Sequence, residues 1–534
     1  MILLLRKVWL KILLLALVTF SAWYTAYQMP ITDAAEALNA LGLLRTRNPL
    51  NSPMDAELPL NTGGILWARI MFPLLGESEF TYRLPGLIGV ILGSLVLSQY
   101  ARPLVGFYGA QVAGLMAYFS PVLLLWAIFG ESFGILFMCY GAACISLLYA
   151  LKDKWQHRWV WMAALALAFL SQDGSVMLVF GCWLLLAAWK AQNGLLRKFA
   201  LPTVGGVVIA MVVELLTRGS QASWFRLLNT ESETLWLWAL TLPFLVMAHL
   251  IAMLPGISYR LWREFRSPFQ QRLRLLLGFA ITGWLVGVLW AVTGNASGLA
   301  AALPPLFLLM GPYLRVGQNP LRFKVATFWI WAIFFVLVVA GLSFYLLGLL
   351  TTSSNRSIFL LVWALVIVLG ILLMYYNFTR NYIAAFYVGW AQWMLLMIPV
   401  WQLALPLVVA QTTYPRDTAY AVSRLVRNFQ DIIVVGGPAD KALLYYLTRQ
   451  QETVFYYPEV RPVAQELSSR STPAIVVMEA QTAQRLFAEM ARIWPGWVPL
   501  ALLAEFEGRE MDTYQLVRYQ VYTLRYSAEA SETN

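Results

Sequence analysis

Apolar runs fill the chain as far as about residue 410, and polar residues are confined to the joints between them. Thirteen runs, most of about 17–25 residues, read as membrane-spanning helices. They are 9–27, 85–101, 108–128, 132–150, 158–170, 175–190, 199–216, 235–255, 273–293, 297–314, 325–350, 358–376 and 383–410. The first follows a basic stretch in MILLLRKVWLKILLLALVTFSAWYTAY and has no small-residue cleavage site after it. It therefore reads as an uncleaved span.

The charge of the joints alternates. With the N-terminus in the cytoplasm, Lys7, Lys11, Arg102, Lys152, Lys154, Arg158, Lys190 and Lys198 fall on the inner side. So do Arg263, Arg272, Arg315, Lys324 and Arg380. The short outer joints hold only Arg218, Arg226 and Arg356. An excess of Lys and Arg marks the cytoplasmic face, so the alternation supports an odd number of spans. The C-terminal part then lies outside the cytoplasm.

Two segments depart from the pattern. The outer loop 28–84 carries six acids (Asp33, Glu36, Asp55, Glu57, Glu77, Glu79) and four bases (Arg45, Arg47, Arg69, Arg83). Its GGILWARIMFPLLG, 63–76, is too short to span and reads as a helix lying along the membrane surface. The tail 411–534 has the composition of a soluble domain. DIIVVGG, ETVFYY, TPAIVVME and VPLALLAEF read as strands, PADKALLYYLTR and TAQRLFAEMARIW as helices. That alternation predicts a small α/β domain. The fold class is thus a polytopic α-helical membrane domain, 1–410, followed by an outer α/β domain, 411–534.

Composition agrees with this division. Hydrophobic residues make up 60% of the 534 and charged residues 12%, about half the charge of a soluble protein. The net charge of +11 sits in short joints rather than in one patch, which excludes nucleic acid as the partner and leaves membrane lipid. Cys139, Cys144 and Cys182 fall inside apolar runs and match neither a metal spacing nor a disulfide framework. His157 and His249 have no partner nearby in sequence, so zinc and a Ser-His-Asp site have no support. No glycine–lysine phosphate loop is present. Span centres are almost free of charge, which argues against an ion pump. Gly436-Gly437, before a helix, is either an anion site or an ordinary strand-to-helix turn.

The remaining chemistry is carboxylates and arginines at the outer surface. In MPITDAAEALNAL, Asp33 and Glu36 form either a helix cap closed by a capping box or a catalytic carboxylate at the membrane surface; the roles are compatible. Glu131 in FGESFGILF opens the fourth span, where it also favours the helix dipole. Asp173 in LSQDGS is a turn residue or a catalyst. Glu214, near the end of an apolar run, needs a partner, and Arg218 is close in sequence. Arg83, Arg218, Arg226 and Arg356 are candidates for lipid phosphate.

ITDAAEALNALGLL after the first span, ELPLNTGGILWARIMFPLLGESEFTYRLPGLIGV leading into the second, Glu131, FLSQDGSV and AALPPLFLLMGPYLR together form a layout. It resembles the GT-C membrane glycosyltransferases, in the branch of lipid A aminoarabinose transferases and protein O-mannosyltransferases. The resemblance covers most of the chain. It implies a glycosyltransferase of the bacterial inner membrane, active on the outer face. The implied donor is a polyprenyl-phosphate sugar and the acceptor a lipid or glycan, with a protein acceptor left open. It places Asp33 at the reacting centre, to orient or deprotonate the acceptor hydroxyl, with Glu131 and Glu36 behind it. Arg83 leads the groups that neutralise the departing phosphate. A divalent-cation requirement is left open. The chain departs from the family pattern at three places: Ala34 stands at the second acid, ELPL replaces a lysine-bearing segment, and Gln172 or Asp173 replaces a loop lysine. The other reading is therefore an inactive relative serving as a glycolipid-binding or complex subunit.

Overall fold

The computed structural model describes residues 62–76, 78–118, 133–152, 154–190, 194–218, 268–292 and 296–316 of the membrane part, with single residues and short pieces between 120 and 123 and between 364 and 388. In the tail it describes 414–425, 431–436, parts of 443–447, then 454–457, 459–469, 474–493, 500–509 and 516–524. These residues fall into two units, one built from Asn61–Trp67 and Phe80–Pro406, the other from Ala68–Glu79 and Leu407–Asn534.

The helices of the first part are α1 (Thr62–Leu75), α2 (Glu79–Leu95), α3 (Arg102–Val105), α4 (Phe107–Tyr118), α5 (Phe133–Ala150), α6 (Arg158–Ser171), α7 (Val176–Lys190), α8 (Leu195–Arg218), α9 (Pro268–Val292) and α10 (Leu303–Val316). A π turn, Val96–Tyr100, extends α2. Among the described residues three helices are long and apolar enough to cross a membrane: Phe80–Tyr100, Phe133–Ala150 and Leu195–Thr217. Four more apolar helices are shorter. The expected spans 9–27, 235–255 and 325–350, and 383–410 but for Val388, lie outside the described residues.

α5 is the central helix. Of its apolar window 83% is buried, against 28% for that of α8, whose Leu201, Val204, Val208, Val212 and Leu216 face outward. Helices surrounded by lipid gain little from the hydrophobic effect and associate through close packing of small residues. That is how α2 meets α5. A Cβ on Gly134 would collide with the Gly86 carbonyl, and one on Gly89 with the Gly134 backbone. Aromatic residues fill the space beyond α5: Tyr140 lies 5.7 Å from Phe180 and 5.8 Å from Trp183, and Trp161 lies 4.8 Å from Phe180. Each buried indole N–H finds an acceptor, Trp161 on Thr203 Oγ1 at 3.1 Å and Trp183 on the Phe279 carbonyl at 3.0 Å.

One expected span differs. The run 297–314 is a 3₁₀ segment, Ala296–Ala301, followed by α10. Pro304 and Pro305 have no N–H to return to the carbonyls of Ala300 and Ala301, so the α-helix starts only at Leu303. The 3₁₀ segment packs tightly on α9, where Gly287 leaves room for Leu299.

The second unit contains α11 (Tyr414–Leu425), β1 (Asp431–Val435), β2 (Val454–Tyr457), α12 (Val460–Ser469), β3 (Ala474–Glu479), α13 (Ala480–Ile493), β4 (Ala501–Arg509) and β5 (Leu516–Leu524). They build one mixed sheet of order β2-β1-β3-β5-β4. β1 pairs in parallel with β2 and β3, and β5 runs antiparallel to β3 and β4. Ile433, Val435, Val476 and Met478 pack with Val463 and Leu467 of α12 and with Leu486 and Met490 of α13. On the opposite face Ile432, Val434, Ile475 and Val477 are also fully buried. Parallel strands covered on both faces read as continuous apolar runs, which is why IIVV and AIVVM stood out in the sequence.

Candidate functional site at one end of the bundle

Helix directions decide which residues share an end. Gly89 of α2 lies against Gly134 of α5, Leu97 against Gly141, and the Tyr149 hydroxyl donates to the Tyr100 carbonyl at 2.8 Å. These pairs advance together, so α2 and α5 are parallel and start at the same end. The chain then reverses: Ser146 Oγ donates to the His157 carbonyl at 2.8 Å, and α6 returns alongside α5. α8 runs parallel to α6, with Trp161 on Thr203 and Gly206 against Met162 and Leu165. The starts of α2, α5 and α7 and the last turns of α6 and α8 therefore meet at one end.

That end carries Arg83, Asp173 and Glu214, each at least 95% buried. Arg83 sits in the second turn of α2 and is not without a partner. Glu214 is likewise engaged and precedes Arg218 by four residues on α8, the helical spacing that favours an acid–base pair with the acid first. Glu131 stands two residues before the start of α5 in sequence but lies outside the described residues, as do Asp33, Glu36, Arg226 and Arg356. The Arg218 backbone is described as the last residue of α8; its side chain is not.

Asp173 has a defined task. Its Oδ1 accepts from the Ser175 backbone N–H at 2.7 Å and from the Ser175 hydroxyl, closing the turn that starts α7. Gln172 Nε2 donates to Ser175 Oγ at 3.3 Å. The Tyr140 hydroxyl is fully buried within electrostatic reach of the Asp173 carboxylate. Neither it nor Gln172 Oε1 has a hydrogen-bond partner among the described residues. Among those residues there is no cluster of three or more His, Cys, Asp or Glu able to hold a metal ion.

The opposite end is basic. Lys152 Nζ donates to the Pro103 carbonyl at 2.6 Å, and Lys198 Nζ lies 3.6 Å from the Trp155 ring centre. Arg102 and Arg158 rest on Phe107 and Trp159. Arg102, Lys152, Arg158 and Lys198, assigned to one membrane face by the charge pattern, thus collect at one end, away from Arg83. His157, which has no partner nearby in sequence, has two in space: its ring stacks 4.0 Å from Tyr149 and its Nδ1 pairs with the Tyr100 hydroxyl.

In the tail, Gly436 is an ordinary turn rather than an anion cradle. Its N–H donates to the Tyr457 carbonyl at 3.1 Å, and its own carbonyl accepts from the Tyr456 hydroxyl at 2.7 Å.

Residues 64–217, the stretch that builds this end, match the family model described as dolichyl-phosphate-mannose-protein mannosyltransferase. The whole chain is similar in structure to ArnT from Cupriavidus metallidurans. Against ArnT bound to undecaprenyl phosphate the TM-score is 0.68 at 16% identity, covering 97% of this chain and 98% of that one. Against the apo state it is 0.64, with the same identity and coverage. No curated protein matches in sequence. The resemblance read from the sequence is borne out at the level of the fold: the chain has the GT-C fold that it shares with ArnT, with a mixed α/β sheet in its C-terminal part.

Proposed function

We propose that the chain is a glycosyltransferase that moves a sugar from a polyprenyl-phosphate donor to a lipid or glycan acceptor at the outer face of a bacterial inner membrane. The observation that carries this is Arg83, a buried guanidinium at the non-basic end of an apolar bundle. Arg83 already meets a partner within the protein; a lipid-borne phosphate would add a charge-assisted contact to it. The fold shared with an ArnT bound to undecaprenyl phosphate supports the same donor chemistry. The family model matching residues 64–217 supports sugar transfer from a prenyl phosphate.

In this reading Asp33 takes the proton from the acceptor hydroxyl, whose oxygen attacks the anomeric carbon. The bond from that carbon to the phosphate oxygen breaks, and its electron pair leaves with the phosphate. Arg83, helped by Arg218, Arg226 and Arg356, stabilises the charge that develops there. Glu131 and Glu36 stand second and third for the base. Asp173 is set aside, since its carboxylate closes the α7 turn. Residues 1–410 form the membrane domain, with loop 28–84 outside. Residues 411–534 form an outer α/β domain, and the N-terminus is cytoplasmic.

The test is sugar transfer in native membranes, using labelled polyprenyl-phosphate sugars and native glycolipids, for wild type, Asp33→Asn and Arg83→Gln at equal expression. Loss of a general base lowers transfer about 10²–10⁴-fold, and Asp33→Asn is expected in that range. Arg83→Gln is expected to raise KM for the donor as well as lower kcat. Transfer unchanged in Asp33→Asn moves the base to Glu131. No transfer by wild type across a broad donor panel leaves the inactive relative as the reading.

A further inference from the structure

Pro85 lies inside α2 and has no N–H. The helix bond that residue 85 would give to the carbonyl four residues earlier, at Thr81, is therefore missing. In an apolar surround an unserved carbonyl is expensive, and Thr81 is only 1% exposed. A side chain from another helix supplies a donor: Trp67 Nε1 of α1 donates to the Thr81 carbonyl at 2.9 Å. Arg83 lies between that acceptor and the proline, on the same turn, and is 3% exposed.

Helices bend most readily at proline, so the first turn of α2 is held to the rest of the helix more weakly than an ordinary turn. From this arrangement we infer that Trp67 is a positioning residue: its indole N–H replaces the bond lost at Pro85 and fixes the turn that aims Arg83 at the donor phosphate. The inference rests on the donor reading of Arg83 given above and adds a residue and a mechanism to it. The ring alone is not enough. A phenylalanine fills much of the same space and leaves the carbonyl without this donor, so the turn swivels and the binding-competent orientation becomes a fraction of the ensemble.

The same chemistry provides an internal control. Pro85→Ala restores a backbone N–H at residue 85, which then serves Thr81 directly and makes the Trp67 donor redundant. The experiment measures undecaprenyl phosphate binding, and KM against kcat for the donor, on the full chain in nanodiscs. The variants are Trp67→Phe, Pro85→Ala, the double variant and Arg83→Gln. Trp67→Phe is expected to weaken undecaprenyl phosphate binding about three- to tenfold, the worth of one hydrogen bond, with KM rising and kcat little changed. In the Pro85→Ala background the same substitution is expected to change binding less than about twofold. Equal losses in both backgrounds would make Trp67 a packing residue and overturn the inference, as would unchanged binding in Trp67→Phe. If Trp67→Phe alone does not fold, it must fold once Pro85→Ala is present; failure in both backgrounds also overturns it. Wild type that does not bind undecaprenyl phosphate, or Arg83→Gln that binds it as wild type does, removes the donor reading itself. Binding that needs Arg83 but ignores Trp67 removes the positioning role alone.

Discussion

His157 shows how far a residue's behaviour is set by what folds around it. Its ring lies against Tyr149, its Nδ1 pairs with the Tyr100 hydroxyl, and Lys154 is near. Desolvation first, and the Lys154 charge second, lower its pKa from the ordinary value. The unfolded chain, with a histidine pKa of about 6.5, then binds more protons than the folded one between the lowered value and 6.5. The contribution is fully present above that range and is lost as pH falls through it. Thermal unfolding of the detergent-solubilised chain is therefore expected to shift downward as pH drops below about 6.5. His157→Gln, which removes the titrating ring, is expected to flatten that part of the pH profile. An identical pH slope in the variant would assign the loss to the carboxylates. Histidine partners from separate helices cannot be found by scanning neighbours in sequence. Arg83 was visible because an arginine at the mouth of an apolar run is conspicuous. Trp67 was hidden because one more aromatic in an apolar helix carries no mark. The readable clue was Pro85, since every proline inside a helix names the carbonyl that needs another donor.

At the scale of elements, the apolar runs locate most helices among the described residues to within a few residues. The exceptions have local causes. The Pro304-Pro305 pair splits the run 297–314, and β5, LVRYQVYTL, has no continuous apolar run to mark it, although Val517, Tyr519 and Val521 alternate with Arg518, Gln520 and Tyr522. Its charged and amide residues hid a strand that pairs with β3 on one side and β4 on the other. The contact between α2 and α5 was not readable either, because glycine in an apolar run has many possible reasons. The structure separates two of them. Gly134 faces the Gly86 backbone with no room for a Cβ, whereas Gly181 on α7 has nothing within 4 Å of one. Gly134→Ala is expected to force α2 and α5 apart and lower the midpoint of thermal unfolding by several degrees, the consequence of about 1–3 kcal/mol of overpacking. Gly181→Ala is expected to be neutral or to stabilise by about 0.5–1 kcal/mol through helix propensity. Fluorescence-detected size-exclusion after a heat step distinguishes them. Equal losses would mean that the close approach of α2 and α5 is not what holds them.

At the scale of the whole molecule, the cations gathered at one end of the bundle carry a statement about orientation. Lys152, Lys154, Arg158 and Lys198 occupy the end reached by the last turn of α5 and the first turns of α6 and α8, while buried Arg83, Asp173 and Glu214 occupy the other. Short loops rich in Lys and Arg are retained in the cytoplasm, so the orientation to be tested has the basic end inward and the Arg83 end outward. The odd number of spans expected from the sequence would put the C-terminal unit outside as well. Single cysteines test both steps in a background lacking Cys139, Cys144 and Cys182. Lys154→Cys is expected to react with a membrane-impermeant maleimide only after the cells are opened. Arg492→Cys, on the exposed side of α13 with its side chain 81% accessible, is expected to react in intact cells. Reaction of both only after the cells are opened would require an even number of spans between them and would put the α/β unit in the cytoplasm, away from any transfer at the outer face. Reaction of Lys154→Cys alone in intact cells would invert the bundle, and a donor phosphate meeting Arg83 would then be reached from the cytoplasmic leaflet. The expected pattern is the one that transfer from a polyprenyl-phosphate sugar at the outer face requires, with Lys154 beside the anionic inner leaflet.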